Sequence, residues 1–403
     1  MGIKRCSLKR ALLSGVISAL VIYTLLLLVG DLHTPKLYDL TEITTCPACY
    51  GNSICHELYS GEIFLESSGY LHKYFNAKNI YHGLVVKTKQ KVLLKKLAHN
   101  WELELFDEKL CEVVGNKNCK HSESMDLTNV DKLITSLIEY NFSHTYQEPK
   151  TGIVLCPYLD KKQFLLQTPM NTKKSGYKSK MINIWTMLSI NPEPIILQLI
   201  PKSKGWPVPA FGGVCGRIAV VSNEGQPLSS MMHIPWQRKL ILARKILYAA
   251  IDFTNKHNMF RFYLMDWSLD NIVANDKDNV TFVDLEDVVV LDKNTTPKKD
   301  LPNWYQKYTR DIMGPGFTFS IENLCRHHLS DHNIWAACYI LAGDDNPWLI
   351  PVPQKVNQSN PNFENLLNEC LNGDDRFHTV VRLQRAMDEI LAEKTLFRVI
   401  TEI

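Results

Sequence analysis

The sequence predicts an α+β protein of two lobes, stabilised by disulfides and placed behind an N-terminal membrane-spanning helix. Three observations predict this fold class: an uncharged apolar run near the start, many cysteines after that run, and a long remainder in which strand-like and helix-like segments alternate. About 340 residues follow the first segments, which by typical domain sizes is enough for two lobes with separate cores.

The N-terminal residues carry the predicted anchor. No charged residue occurs from Ala11 to Val29, and four lysines or arginines lie among the ten residues before this run. An apolar run of about 20 residues can cross a bilayer as a helix, and flanking basic residues stay on the cytosolic side. The sequence therefore predicts a type II topology with everything after Gly30 in the lumen. A cleaved signal peptide is the alternative, because a basic start and an apolar run also fit that pattern.

The predicted boundaries follow from this order. Residues 1–10 form a cytosolic tail, residues 11–30 the anchor, and residues 31–60 a stem with a Cys-rich segment. Residues 61–221 form an N-lobe with a helical insertion, and residues 222–403 form a C-lobe.

Cysteines are frequent after the anchor. Of eleven cysteines only Cys6 precedes it, so the even number of ten follows. In an oxidising compartment ten cysteines predict up to five disulfides. Cys46 and Cys49 have the spacing of half a zinc site or of a redox pair, but no second pair follows with metal-binding spacing. We therefore predict a structural disulfide cluster.

The overall composition favours a secretory-pathway protein over a nucleic-acid-binding one. The 45 basic residues are nearly balanced by 42 acidic ones, so no argument for a nucleic-acid partner arises. Asn-x-Ser/Thr sequons at Asn141, Asn279, Asn294 and Asn357 are compatible with glycosylation in that pathway.

A lysine at the end of a predicted strand is the first candidate for ligand binding. Residues 83–97 look like two strands joined by a polar turn, and Lys95 lies near the end of the second. Its Val-Leu-Leu-Lys context resembles the Val-Ala-Ile-Lys of protein kinases, where the ammonium neutralises nucleotide phosphates and pairs with a glutamate of the next helix. That helix offers Glu102, Glu104 and Glu108, of which we choose Glu102. The alternative is that these charges are solvated surface residues.

A second strand pair and a hinge are predicted before the C-lobe. Pro194–Ile200 and Gly212–Val221 have the pattern of buried strands that lead to a hinge at Ser222–Gln226. Roughly 100 residues separate these strands from the lysine, which indicates an insertion or a lid. Within it the sequence predicts helices at 126–140 and 180–190.

The strongest functional signal is the spacing of three polar residues. Asn271 lies five residues after Asp266, and Asp284 lies eighteen after it. In protein kinases the catalytic-loop Asp orients the attacking hydroxyl and takes its proton, the Asn five residues on binds one Mg²⁺, and a later Asp bridges metal and phosphates. A helix-like pattern at 236–258 precedes the loop, and two short strand-like segments follow it. We therefore predict Asp266 as the catalytic residue and Asn271 and Asp284 as metal ligands.

Several kinase features are missing. Leu264 and Met265 replace the usual His and Arg before the catalytic Asp, and Leu285-Glu286 replaces Phe-Gly after the metal-binding Asp. No Gly-x-Gly-x-x-Gly precedes the lysine, and the segment Gly61–Gly69 is only a poor substitute. The metal-binding residues remain, but the residues that set the activation state do not. The alternative is that the Asp-rich turns bind no metal, because Asp and Asn favour turns for backbone reasons alone.

Several longer motifs carry a resemblance to one family. They are Cys46-Pro-Ala-Cys49-x-Gly-x-Ser-x-Cys55, Val-Leu-Leu-Lys95 with Glu102-Leu, Asn191-Pro-Glu-Pro, Gly205-Trp-Pro, Gly213-Val-Cys-Gly-Arg217, Asp266-x-Ser-x-Asp-Asn271 and Val283-Asp284-x-Glu286. With these motifs the chain resembles the divergent protein kinase domain family, most closely its branch called deleted in autism protein. The resemblance implies a kinase-like fold and residence in the endoplasmic reticulum or Golgi, with some members secreted. ATP with Mg or Mn is expected from Lys95, Asp266, Asn271 and Asp284.

Two functions of different classes follow. The first is a lumenal atypical kinase that transfers phosphate from ATP to hydroxyls of secretory-pathway proteins, which we favour because Lys95, Asp266, Asn271 and Asp284 are all retained. The second is an inactive pseudokinase that acts as a secreted or membrane-anchored signalling ligand or scaffold, for example on a cell-surface receptor. A third keeps nucleotide or metal binding without transfer.

Overall fold

The computed structural model describes the chain in segments: residues 15–25, 36–66, 80–113, 153–160, 163–164, 167, 177–294, 301–306, 320–344 and 346–401. The chain divides into two compact units. The first comprises Met1–Ser124, Thr172–Ser179 and Gly212–Asn223, and the second comprises Met125–Asn171, Lys180–Phe211 and Glu224–Ile403. Residues 180–211, which the sequence assigned to the N-lobe, therefore belong to the second unit. The helix predicted at 126–140 lies outside the described residues.

The described strands and helices are numbered here in chain order. The strands are β1 (Ile63–Leu65), β2 (Ile80–Val85), β3 (Gln90–Lys96), β4 (Ile153–Leu155), β5 (Phe211–Cys215), β6 (Ile218–Ser222), β7 (Gln226–Pro227), β8 (Phe260–Leu264), β9 (Ile272–Ala274), β10 (Val280–Phe282) and β11 (Val288–Asp292). The helices are α1 (15–25), α2 (Leu37–Thr41), α3 (Cys55–Tyr59), α4 (Asn100–Val113), α5 (Tyr177–Ser189), α6 (Glu193–Leu199), α7 (Trp236–Asn255), α8 (Ile321–Arg326), α9 (His332–Ala342), α10 (Gln354–Ser359), α11 (Phe363–Asn372) and α12 (Arg376–Thr401).

The anchor prediction falls mostly on residues that the structure does not describe. Only 15–25 of the apolar run are described, and they form α1 with exposed side chains. Among the described residues no helix combines the length and apolarity that a membrane crossing requires. The anchor therefore stays a prediction.

An antiparallel sheet of five strands, in the order β1-β2-β3-β6-β5, is the centre of the first unit. Successive side chains of a strand point to opposite faces, so Val92 and Leu94 of β3 share a face with Ile218 and Val220 of the paired strand β6. On this face they pack against Leu40, Ile54 and Leu58 of the short N-terminal helices. The strand pair predicted at 83–97 and the helix after it are confirmed.

A buried ionic cluster joins the N-terminal segment to this sheet. Arg217, at the β5–β6 turn and 2% exposed, forms ion pairs with Asp107 of α4 and with Glu42, and Glu42 also pairs with Lys96. The neighbouring Gly216 has φ 57, and a Cβ there would lie 1.9 Å from the carbonyl oxygen of Thr41. Only glycine fits this close approach, which explains the Gly-Arg sequence at the turn.

The second unit combines two three-stranded sheets with most of the helices. In one sheet β9 pairs antiparallel with β10 and β7, and in the other β11 pairs parallel with β4 and antiparallel with β8. Helix α7 buries nine residues along its length, as the helix-like pattern at 236–258 predicted. The hairpin predicted after the catalytic loop is confirmed as β9 and β10.

The prediction of a strand at Pro194–Ile200 is wrong, because these residues form α6 and its end. Six of the seven residues of α6 are buried, and a short, mostly apolar run has no periodicity that separates a buried strand from a buried helix. Proline in the first turn, at Pro194, is compatible with a helix because the first N–H groups have no helical partner.

The disulfide prediction is confirmed. The bridges between described residues are Cys46–Cys49 and Cys55–Cys215 in the first unit and Cys156–Cys325 and Cys338–Cys370 in the second. Cys111 is also disulfide-bonded. Because Cys46 and Cys49 bond each other, they do not form half of a zinc site.

Candidate active site

The loop after β8 brings Asp266 and Asn271 together. The Asn271 side-chain Nδ2 donates to Asp266 Oδ2 at 2.7 Å, and the Asn271 backbone N–H reaches the Ser268 carbonyl oxygen at 3.2 Å. Asn271 is buried, whereas Asp266 is exposed. An asparagine that donates through Nδ2 presents its Oδ1 as an oxygen ligand. The buried amide thus holds the exposed carboxylate beside an oxygen atom that can bind a metal ion.

The third predicted residue lies at the end of the hairpin, next to this loop. Val283 N–H donates to the Asn271 carbonyl oxygen at 2.9 Å, which places Asp284 one residue from a backbone contact with Asn271. Asp284 has a φ of 62, a left-handed conformation that is uncommon for a residue other than glycine. Such conformations persist where the surroundings fix them and often occur at functional sites. The structure therefore brings together Asp266, Asn271 and the Asp284 turn, residues 283–287.

An aromatic contact packs the loop onto the hairpin. Trp267, directly after Asp266, is 4% exposed, and its ring meets that of Phe282 edge to face at a centroid distance of 4.8 Å. Edge-to-face pairs at this distance add stabilisation beyond the burial of their area. Phe282 is the last residue of β10, so this contact links both sides of the predicted site.

Two polar residues of α9 hold the strand that leads into the loop. Asn333 Oδ1 accepts from the Leu264 N–H at 3.0 Å, and Asn333 Nδ2 donates to the Phe262 carbonyl oxygen at 2.8 Å. His332 Nε2 lies 2.8 Å from the Leu264 carbonyl oxygen and donates to it when it carries the proton. The backbone N–H and the carbonyl oxygen of Leu264 are therefore both bound by adjacent residues of α9. His332 and Asn333 were not among the predicted site residues, although two polar side chains at the start of an otherwise apolar helix are a detectable signal.

His332 makes stability depend on pH. Burial lowers the pKa of His332 from 6.5 to about 4. The unfolded chain therefore binds more protons between these values, so stability is complete above pH 6.5 and is lost as the pH falls towards 4. Because His332 is protonated in the unfolded chain and neutral in the folded one, the free energy of unfolding should fall by about 2 kcal/mol between pH 7 and pH 5.

Replacement of His332 by glutamine tests this expectation, because glutamine keeps an N–H donor that does not titrate. Denaturant unfolding at pH 7 and pH 5 should show a smaller acid loss for His332→Gln than for the unmodified protein. His257, whose pKa burial and nearby lysines also lower to about 4, keeps part of the dependence in the variant. Exposed His233→Gln is the control, and an equal acid loss in all three proteins would contradict the assignment.

The predicted phosphate-binding lysine belongs to the first unit. Lys95 is 8% exposed in β3, in register between Ile80 of β2 and Ala219 of β6. Glu102 accepts from the backbone N–H of His99 at 2.7 Å and thereby caps its own helix. The role of Glu102 as partner of Lys95 stays a prediction.

The residues that would hold a divalent cation are Asn271 and Asp284. Among the described residues no three His, Cys, Asp or Glu side chains cluster with metal-binding geometry. Mg²⁺ in phosphate-transfer sites usually takes one or two carboxylates and completes its shell with substrate phosphates and water. One carboxylate and one amide oxygen fit that pattern, so the residues present are compatible with the predicted group.

Comparison with known proteins identifies the family of the chain. The model of a family described as the protein-kinase domain of FAM69 matches residues 184–373, which include the loop and the Asp284 turn. Divergent protein kinase domain 2A of Xenopus tropicalis is 30% identical over 360 residues, 83% of each chain. The human 2A protein is 29% identical over 87% of this chain and 90% of its own, and the mouse 2B protein is 24% identical over 54% and 53%.

A solved Mycobacterium tuberculosis protein in complex with erythromycin aligns over 69% of this chain and 67% of its own, with a TM-score of 0.21 and 11% identity, which is too low to carry an argument. The α+β fold and the loop residues define a protein of the kinase-like class. The chain belongs to the divergent protein kinase domain family, as its sequence motifs predicted.

Proposed function

We propose that this protein is an ATP- and divalent-metal-dependent kinase of hydroxyl groups on secretory-pathway proteins. The observation that carries the proposal is the hydrogen bond from Asn271 to Asp266, with the Asp284 turn bound to the same asparagine through its backbone. An exposed carboxylate held beside two residues that can supply oxygen ligands is what phosphate transfer to a hydroxyl requires.

Each residue has a distinct role in this proposal. The exposed Asp266 carboxylate would orient the acceptor hydroxyl and take its proton, the role of the catalytic-loop aspartate in protein kinases. Asn271 and Asp284 would hold the cation, which would supply positive charge to the transferred phosphate. Lys95, buried at the end of β3, would bind the nucleotide phosphates.

The test is metal-dependent stabilisation by ATP. Saturation at about 100 times the dissociation constant stabilises a protein by about 2.7 kcal/mol, so ATP with Mg²⁺ or Mn²⁺ should raise the melting temperature. Asp284→Asn should lose this rise, because asparagine tolerates the left-handed conformation but lacks the negative charge. Asp276→Ala, in the exposed β9–β10 turn, should keep it. If no nucleotide or metal changes the melting temperature of the unmodified protein, the proposal is wrong.

A second function, that of an inactive signalling ligand or scaffold, is favoured by one observation. Met265 stands where kinases carry an arginine before the catalytic Asp, and its side chain is 5% exposed in a core cluster with Tyr263 and Leu324. The position therefore serves packing and has no charge to read an activation signal. In that case the protein acts through a receptor or another protein partner, and a melting temperature that no nucleotide or metal changes would favour it.

We further propose that the protein resides in the endoplasmic reticulum or Golgi with a lumenal kinase-like domain, anchored by residues 11–30 or released from them. Disulfides are rare outside oxidising compartments, and the buried bridges of both units support this location. Protease treatment of intact microsomes should digest a cytosolic N-terminal tag and spare the rest. Complete digestion would contradict a lumenal domain.

A further inference from the structure

The turn that carries Asp284 is fixed from both sides. Val283 N–H binds the Asn271 carbonyl oxygen at 2.9 Å, and Met265 N–H binds the Asp287 carbonyl oxygen at 3.0 Å. Between these contacts Leu285 is 3% exposed. These contacts fix the ends and the middle of the turn, whereas the side chain of Glu286 is bound from a different part of the chain.

Glu286 is bound by a buried asparagine far away in sequence. Asn191 Nδ2 donates to Glu286 Oε2 across 95 residues of sequence. Asn191 is 2% exposed and lies in the short connection between α5 and α6. Its other side-chain atom, Oδ1, accepts from the Glu193 N–H at 3.0 Å. The amide is therefore oriented by the start of one helix while its donor side faces the carboxylate.

We propose that Asn191 is a positioning residue for the metal-binding Asp284, and that it acts by holding the Glu286 carboxylate two residues further on. A hydrogen bond from an amide to a carboxylate is stronger than one between neutral groups. It fixes the backbone of the Asp284 turn in a conformation that is costly for a residue other than glycine. Glu286 thereby holds the Asp284 turn in place through its side chain. As far as it concerns metal binding, this inference rests on the proposed function.

The chain allows the hydrogen bond to be reversed. Asn191→Asp keeps an oxygen that accepts from the Glu193 N–H but replaces the donor with a second carboxylate opposite Glu286. Adding Glu286→Gln restores one donor and one acceptor with the original net charge. Asn183→Asp is the matched control, because Asn183 is also buried, at 6% exposed, but lies within α5.

The first measurement is amide hydrogen exchange in the full chain, and it needs no ligand. Asn191→Asp should raise the exchange rates of the Val283 and Met265 amides by tenfold or more. Asn191→Asp with Glu286→Gln should bring them back to within a few-fold of the unmodified protein, and Asn183→Asp should leave them unchanged. If Asn191→Asp leaves both amides protected, or if the second substitution gives no rescue, the positioning role is wrong.

The second measurement is titration with ATP and Mg²⁺, which separates this inference from the proposed function. Removing groups that orient metal ligands typically weakens metal affinity by about 10- to 100-fold, and Asn191→Asp should weaken binding by that factor with recovery in the double variant. If the unmodified protein does not bind, the proposed function fails and the exchange rates still decide the role of Asn191. If Asn191→Asp binds as tightly as the unmodified protein, the inference is overturned and the proposed function stands.

Discussion

Replacement of Arg376 by methionine should destabilise the second unit by about 3–5 kcal/mol, because it leaves a buried carboxylate without its partner. Arg376 Nη1 donates to Asp331 Oδ2 at 2.7 Å, and the two side chains are 3% and 0% exposed. The same guanidinium donates to the carbonyl oxygens of Cys370 and Leu371 at 2.9 and 2.8 Å. Methionine fills a similar volume but satisfies none of these acceptors. Denaturant unfolding at neutral pH measures the loss.

Arg382→Met on the same helix is the matched control. Arg382 pairs with Glu369 at 2.7 Å, but these side chains are 45% and 40% exposed, and exposed pairs contribute only about 0–1 kcal/mol. Adding Asp331→Asn to Arg376→Met removes the unpaired charge and should recover part of the loss. Equal losses for the two methionine variants would show that the buried pair contributes no more to stability than the exposed one.

The pH dependence of the Arg376 variant follows from the same pair. Burial raises the pKa of Asp331 above its ordinary value, and Arg376 opposes this by lowering it. Without the arginine the pKa of Asp331 in the folded state rises further. A carboxyl group whose pKa is raised in the folded state lowers the free energy of unfolding of the protein as the pH rises through that pKa. The difference in stability between the variant and the unmodified protein should therefore shrink as the pH is lowered.

This ion pair is connected to the candidate site by one helix. Asp331 directly precedes α9, whose first residues, His332 and Asn333, bind both backbone groups of Leu264, directly before the loop that carries Asp266. The Asp331 Oδ1 also accepts from the Gln306 N–H at 2.7 Å. The position of the loop thus depends on a helix start that is fixed by a buried charge.

The sequence was sufficient to predict the local part of the site. Asp266, Asn271 and Asp284 lie within eighteen residues of each other, and a short hairpin between them determines their relative positions. Hairpins are set by strand patterns and turn residues, which are local signals. For that reason the loop and the hairpin could be predicted from the sequence and agree with the structure.

The residues that support the site could not be predicted in the same way. His332 reaches Leu264 across 68 residues, and Asn191 reaches Glu286 across 95. No periodicity within one element encodes a contact at such separation. The motif Asn191-Pro-Glu-Pro is visible in the sequence, but nothing in the sequence shows that its amide binds Glu286. The same limit applies to Glu102, because the phase of a helix alone does not identify the partner of Lys95.

The wrong strand prediction at Pro194–Ile200 has a physical origin. Among residues 194–200 only Gln198 is polar, because α6 is buried on nearly all sides. A helix shows its period only when one face meets water. Where burial is complete, the sequence retains the information that the segment is buried and loses the information about its secondary structure.

The largest loss of stability should follow removal of the disulfide Cys156–Cys325. The bridge closes a loop with a sequence separation of 169 residues. In the chain-entropy model a loop of that length stabilises the folded state by about 5 kcal/mol. Both cysteines are nearly fully buried and belong to a core cluster with Tyr263 and Met265, directly before Asp266. Cys156→Ala with Cys325→Ala should therefore lower the melting temperature and loosen the strand that leads into the loop.

Cys46→Ala with Cys49→Ala is the contrasting variant. Its bridge has a sequence separation of 3, so the chain-entropy model assigns it only about 2 kcal/mol. Unfolding of both variants under non-reducing conditions gives the comparison, and excess reductant should lower the stability of the unmodified protein more than that of the Cys156→Ala, Cys325→Ala variant. A loss no larger than that of the short bridge would mean that the core packing of β4, β11 and α8 already holds this part of the second unit, without help from the long-range bond.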